Sequence, residues 1–313
     1  MIRQNKKTHL YIPIMLILTA LLGLYVLVPQ YDSLQKGINM IPAADTNLLL
    51  MACALVFGTY FMAAVTIQYL AIKHLPAKRT LLVQYASGFA GKLVPAGVGG
   101  MALNARYLQK QRLSVSQASA IVVLNALLGF AGHILIILLS LLFAKQTLGE
   151  VFSRQLPPGV IVIAAALIVI TLITVLYTGY LRRRLESWLA GVLKVLTAYR
   201  KRQGALLGAL LGSIGVTVLF TAALYCVALS LGIRLTLLQV LLVYTASALG
   251  SAVTPTPGGI GGAEAALAAA LIAANIPAAE AVSVAVTYRL IAFWLPLAPG
   301  LVCFQLLIKK HYI

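Results

Sequence analysis

Two six-residue segments, Pro95-Ala96-Gly97-Val98-Gly99-Gly100 and Pro257-Gly258-Gly259-Ile260-Gly261-Gly262, share the pattern P-[AG]-G-[VI]-G-G at an offset of 162 residues. A helix entered through a glycine-rich turn offers several unpaired N–H donors and about half a positive charge at its amino end. Such an end is a ready-made anion site. With helices starting after Gly100 and after Gly262, the chemistry this pair predicts is capture of an anion, phosphate being the natural guest.

Ionisable residues stand close to both segments. Lys92 precedes the first by three residues, Glu264 falls in the first turn after Gly262, and Arg289 lies within the last apolar run. One charge at the centre of a bilayer costs about 2.5 to 3.5 kcal/mol and has to face a cavity or a partner. Lys92 is expected to neutralise a bound anion or to snorkel to the interface, and Arg289 to bind substrate or gate. Glu264 is favoured by the helix dipole and has Arg289 as its best charge partner; a structural pair and a part of a transport site are both open to it. Arg106 is placed at the cytoplasmic mouth, as a headgroup receiver or an ordinary interfacial arginine. The predicted substrate-binding set is Lys92, Gly99, Gly100, Asn104, Arg106, Gly261, Gly262, Glu264 and Arg289. Pro95, Gly97, Pro255, Pro257, Gly258 and Gly259 are the predicted hinges. Ser87, Asn125, Thr254 and Thr256 are candidates for a polar path beside Asn104.

The elements that hold these residues follow from composition. Of 313 residues, 61% are hydrophobic and 10% charged, against about 25% charged in soluble domains. Faces so apolar need lipid as their solvent. Six runs reach the roughly 20 residues that cross a hydrocarbon core of about 30 Å: about 10–29, 47–72, 115–144, 159–180, 205–231 and 282–308. The first is too long for a signal-peptide core, has no small-x-small cleavage site before Pro29, and is expected to stay as an anchor. With the amino terminus inside, the inner segments carry 18 Lys and Arg, the outer ones four, and Lys92 and Arg289 remain at membrane depth; the basic segment 181–203 explains much of the net charge of +18 without nucleic acid. That asymmetry predicts a multi-pass plasma (inner) membrane protein with both termini cytoplasmic.

Two less apolar segments, about 80–104 and 237–275, must each begin and end on one side of the membrane. Each is predicted to be a re-entrant helical hairpin broken at its glycine-rich turn, which has to be buried in protein or line a wet cavity. Each half then reads span, span, hairpin, span, and three full crossings turn the second half upside down. The predicted fold is an all-α polytopic membrane protein of one domain over 1–313, with inverted halves about 1–150 and 151–313. Broken segments at matching places in inverted halves point to alternating access around a midplane site. Residues 181–203 place Leu185, Trp188, Leu189, Val192, Leu196 and Tyr199 at helical spacing beneath basic residues, predicting a cytoplasmic interfacial helix on anionic inner-leaflet lipid.

Other chemistry is excluded by what the residues lack. Cys53, Cys226 and Cys303 are odd in number and lie inside apolar runs, which fits core filling and no disulfide scaffold. There is no Cys-x-x-Cys, P-loop, dinucleotide fingerprint, metal-ligand spacing or Ser-His-Asp constellation. No cofactor, metal or enzyme activity is expected, and His133 is predicted to bond a neighbouring helix.

Taken together, the first six-residue segment with Asn104 and Arg106-Tyr107-Leu108, the run Thr254 to Gly262 with Glu264, and Tyr288-Arg289 with Trp294, Pro296 and Gly300 resemble a known family. It is the flippase-like membrane domain at the amino terminus of lysylphosphatidylglycerol synthases (multiple peptide resistance factors) and of related stand-alone membrane proteins. The resemblance implies flipping or scrambling of phospholipids with anionic or zwitterionic headgroups, aminoacylated phosphatidylglycerol among them, across a bacterial plasma membrane. By that likeness Arg106, Glu264 and Arg289 match the family's polar motif positions. The sequence ends at Ile313 without a soluble aminoacyl-transferase domain, so a separate lipid-modifying enzyme is the expected partner. A membrane-embedded transferase on a lipid-linked substrate and a transporter of a small soluble anion are the alternative readings.

Overall fold

Asp45 opens the first long helix. Its carboxylate accepts from the N–H groups of Asn47 at 2.8 Å and Leu48 at 3.3 Å, satisfying donors a helix start leaves unpaired. The computed structural model describes residues 41–71, 73–94, 97–143, 202–254 and 256–313, with Asn39 and Tyr199. The predicted spans at 10–29 and 159–180, residues Pro95 and Pro255, and nearly all of the predicted interfacial helix at 181–203 lie outside the described residues.

Every element in the described residues is helical. The order is α1 (Thr46–Leu70), α2 (Ala77–Leu93), α3 (Val98–Lys110), α4 (Val115–Phe143), α5 (Gln203–Ser230), α6 (Leu237–Val253), α7 (Gly262–Ala273), α8 (Ala278–Arg289) and α9 (Leu297–Lys309). A 3₁₀ turn, Pro257–Gly259, lies between α6 and α7, and a π-helical turn, Leu290–Trp294, joins α8 to α9. Among the described residues four stretches are long and apolar enough to cross a membrane: Thr46–Leu70, Val115–Leu139, Gln203–Ser230 and Ala278–Lys309. Large side chains on their outer faces are bare, as with Phe130 at 68% and Leu142 at 78% exposure; only lipid makes such a surface stable. The chain is an all-α membrane protein.

The packing begins with α1 against α5, which run antiparallel. The N–H of Asp45 donates to the Ser230 carbonyl at the end of α5, at 2.9 Å. At the other end the Tyr199 hydroxyl and the Arg202 guanidinium donate to the carbonyls of Leu70 and Ala71. Gly208, Gly212 and Gly215 let the two backbones approach, since a methyl group on any of them would strike Tyr69, Thr66 or Met62. Small residues spaced by about a turn are how membrane helices associate when lipid is as apolar as the interface. Two buried clusters flank this pair. One joins Ala52 and Val56 of α1 to the end of α5 and to α6, α7 and α8; the other joins Ile67 and Leu70 to α2, α3, the start of α4 and α9.

Three local differences from expectation stand out. α3 starts at Val98, with Gly97 left-handed (φ +69°) before it, so Gly99 and Gly100 lie inside the first turn instead of preceding the helix. Likewise α7 starts at Gly262, after Gly261 at φ +89°. The last run is not one uninterrupted helix. Pro296 has no N–H to return to the carbonyl of Ala292 four residues back, and the turn widens so that the N–H of Leu295 reaches Leu290 O at 2.9 Å.

Candidate functional site

The two glycine-rich breaks converge on the π-helical turn. Lys92 ends α2, where the last carbonyls favour a cation, and its ammonium donates to the carbonyls of Ala292 at 3.1 Å and Phe293 at 2.8 Å. The first of these is the acceptor that Pro296 leaves without a helical donor. Gly258, at φ +61°, lies against the Phe293 ring and near the Lys92 carbonyl, where any Cβ would clash with the ring. Residues from the first break, the second break and the last membrane segment thereby surround one cavity of about 290 Å³. Gly97, Lys92, Gly258, Gly259, Arg289 and Phe293 are on its wall.

Arg289 is the last residue of α8 and is nine-tenths buried, with 9% of its surface exposed. Its Nε donates to Glu264 Oε1 at 2.7 Å and its Nη2 to the Gly258 carbonyl at 3.2 Å. The guanidinium carbon lies 4.3 Å from the centre of the Phe293 ring, and the Lys92 ammonium lies 5.1 Å from the same centre. Both cations therefore lean on one π-system. The second oxygen of Glu264 accepts the Gly261 N–H at 2.8 Å. One carboxylate thus caps α7 and fastens it to the end of α8.

The charges do not cancel. With Lys92 protonated, it and Arg289 bring two positive charges, and among the described residues Glu264 supplies one negative charge to them. Donors remain as well. Two of the three ammonium protons of Lys92 and two of the five guanidinium N–H groups of Arg289 are used. With Lys92 protonated the arrangement is a cavity with one positive charge in excess and several free N–H groups, suited to a singly charged anion.

The other predicted residues are placed elsewhere. Gly99 and Gly100 lie in the contact between α3 and α2, where a methyl group would strike the carbonyls of Ala90 and Ser87. Gly262 has the matching position against Thr254 and Gly250. Asn104 is buried and bonds the Gln84 amide at 3.0 Å, Ser87 Oγ at 3.0 Å and the Gly100 carbonyl at 3.1 Å, tying α3 to α2. Thr254 and Thr256 turn their hydroxyls back to the carbonyls of Gly250 and Ile260. Arg106 is exposed on α3 and Asn125 half-buried on α4; neither is on the cavity wall. His133 meets Thr245 of α6 at 2.9 Å, the interhelical bond expected of it.

Sequence reasoning missed part of the wall. Phe220 of α5, Tyr244, Ser247 and Ser251 of α6, and Tyr288 of α8 also line the cavity. The signal for α6 was present, since 244, 247 and 251 recur at i, i+3 and i+7 and share one helix face.

A family model described as the lysylphosphatidylglycerol synthase TM region matches residues 12–300. A UPF0104 membrane protein of Pyrococcus horikoshii is 46% identical over 76 residues, covering 24% of this chain and 23% of that protein. The chain therefore spans under a quarter of the length of that curated relative, while the family match covers almost all of it. On that match the chain belongs to the lysylphosphatidylglycerol synthase transmembrane-region family.

Proposed function

We propose that this protein moves phospholipids between the leaflets of the plasma membrane, the headgroup passing through the cavity while the tails stay in lipid. The observation that carries the reading is the meeting of Lys92 and Arg289 around Phe293, between two glycine-rich breaks and with Glu264 as their single carboxylate among the described residues. A phosphodiester bears one negative charge and matches the one cation left uncompensated. The family resemblance carries aminoacylated phosphatidylglycerol into the candidate substrates. The protein itself performs no bond chemistry in this reading.

The mechanism is exchange of access by inverted halves. Its support is the antiparallel packing of α1 against α5 and the recurrence of long helix, broken pair and long helix on both sides of that contact. In the broken pairs, a 17-residue helix rises about 26 Å and a 13-residue one about 20 Å, short of the roughly 30 Å core. That length suits re-entrant hairpins, in keeping with the Lys and Arg distribution, which predicts both termini on the cytoplasmic side. Lys92 joins the halves directly, because it belongs to the first and its two carbonyl acceptors belong to the second.

The test is purified protein in liposomes carrying headgroup-labelled phosphatidylglycerol, with loss of outer-leaflet label followed in time. Exchange is expected with the wild type and is expected to vanish with Arg289→Ala and with Lys92→Met. Movement that survives both substitutions in folded protein refutes the reading. Uptake of soluble phosphate without lipid exchange replaces it with the small-anion transporter.

A further inference from the structure

The cationic side of the cavity accounts for a phosphodiester and leaves the α6 side without a task. That side is made of hydroxyls. Ser247 lines the cavity, is 6% exposed, and hydrogen-bonds to none of the described residues. Its neighbours behave otherwise. Thr245, Thr254 and Ser283 each turn back to a carbonyl one turn earlier, at 2.7, 2.6 and 3.0 Å, the back-bond that Ser and Thr hydroxyls make on helices. Among the described residues the sealed hydroxyls without a partner are those of Thr221 and Thr287. The Ser247 hydroxyl is therefore open, and the cavity is what it opens to.

Tyr244 stands one turn before Ser247 on the same face of α6. Its ring is fixed by stacking on Phe220 (6.0 Å, 15°) and by the tilted His133 ring at 5.6 Å. Its hydroxyl has no hydrogen-bond partner among the described residues. Ser251, a further turn along, donates to the Gly258 carbonyl at 3.3 Å and so belongs to the second break. Two held, unengaged hydroxyls thus share a cavity with a cation pair that has donors to spare.

Resting on the lipid-translocation reading, we infer that Tyr244 and Ser247 form a second headgroup subsite. It reads the part of the headgroup beyond the phosphate and favours groups bearing O–H or N–H over quaternary ammonium. The chemistry is complementarity. A hydroxyl both donates and accepts; a glycerol or primary ammonium headgroup supplies donors for the acceptor side of both residues, and a trimethylammonium group supplies none. An aromatic cage for a quaternary ammonium is not offered, because Phe220 and Tyr244 stack on each other and the Phe293 ring is flanked by Arg289 and Lys92. The cavity volume of about 290 Å³ lies at the lower end of the roughly 300 to 1,000 Å³ typical of small-molecule sites, a size for a headgroup and not for a whole lipid.

The experiment compares phosphatidylglycerol, phosphatidylethanolamine and phosphatidylcholine carrying the same fluorescent acyl chain, each in liposomes with purified protein, by quenching of outer-leaflet label. The wild type is expected to exchange the first two about fivefold faster than phosphatidylcholine, the effect of about one hydrogen bond. The double variant Tyr244→Phe/Ser247→Ala is expected to bring the three rates within about twofold. Tyr244→Phe alone, which keeps the ring and its packing, is expected to give an intermediate ratio and serves where the double variant does not fold. Equal rates in the wild type, or a ratio that persists in the variants, overturn the subsite and leave translocation standing. No movement of any of the three lipids overturns both.

Discussion

The two breaks share a residue pattern and carry opposite chemistry. At the offset of 162, Thr254 stands where the first half has Lys92, and Ala102 where the second half has Glu264. Asn104, which ties α3 to α2 through Gln84, Ser87 and Gly100, corresponds to Ala266, which presses on Gly250 instead. The repeated glycines interrupt the helix in both halves, and the side chains around the two interruptions differ, so that Lys92 stands beside the first and Glu264 beside the second. A single cavity lined by two copies of one motif can in this way be asymmetric, with the net positive charge on the side of the first break.

The comparison breaks most severely at the left-handed glycines. Gly259 (φ +66°) faces Ser251 so closely that a Cβ overlaps its backbone, whereas Gly97 (φ +69°) has nothing within 4 Å of one. The left-handed conformation costs a non-glycine residue about 1 to 2 kcal/mol, and overpacking adds about 1 to 3 kcal/mol. Gly259→Ala is expected to lose about 3 kcal/mol in chemical unfolding in detergent, and Gly97→Ala about 1 kcal/mol. Equal losses show that the second break is no more tightly seated than the first.

Next in size are the fastenings. Glu264→Ala leaves Arg289 without its counter-ion and Gly261 without its acceptor. A fully buried pair broken this way loses about 3 to 5 kcal/mol; with the Glu264 side chain 25% exposed, about 2 kcal/mol is expected. Ala102→Ser at the matching, exposed place in α3 is expected to change stability by under about 0.5 kcal/mol. Asn104→Ala strips Gln84 and Ser87 of a partner, and about 1 to 2 kcal/mol is expected from the unpaired groups. Thermal unfolding of the three variants side by side ranks the carboxylate fastening against the amide one; a neutral Glu264→Ala removes the pair from the account of what holds α7 to α8.

Much of this was legible beforehand. Mean hydropathy and the placement of Lys and Arg set the chain in a membrane, and four predicted runs correspond to α1, α4, α5 and α8–α9 within a few residues. The prolines and glycines marked both breaks because they act locally, through a missing N–H and a permitted positive φ. Arg289 and Glu264 were paired in advance because so few charges lie at that depth.

What the sequence by itself determined is therefore the solvent, the approximate helix boundaries and the sites of interruption, all of which depend on residues within a few positions of one another. Which face of each helix meets which neighbour was decided by the tertiary structure. A soluble helix announces its buried side by an apolar stripe, but in lipid the outer face is as apolar as the packed one, so no stripe told Gly99 and Gly100, pressed on α2, from Gly97, Gly258 and Gly259, which line the cavity. Lys92 finds its acceptors about 200 residues away, on carbonyls released by a π-helical turn and a proline. The open hydroxyls of Tyr244 and Ser247 matter only because α2, α6 and α8 end around the same space. Those juxtapositions come from the fold closing on itself, and only it could place two cations beside the hydroxyls of α6.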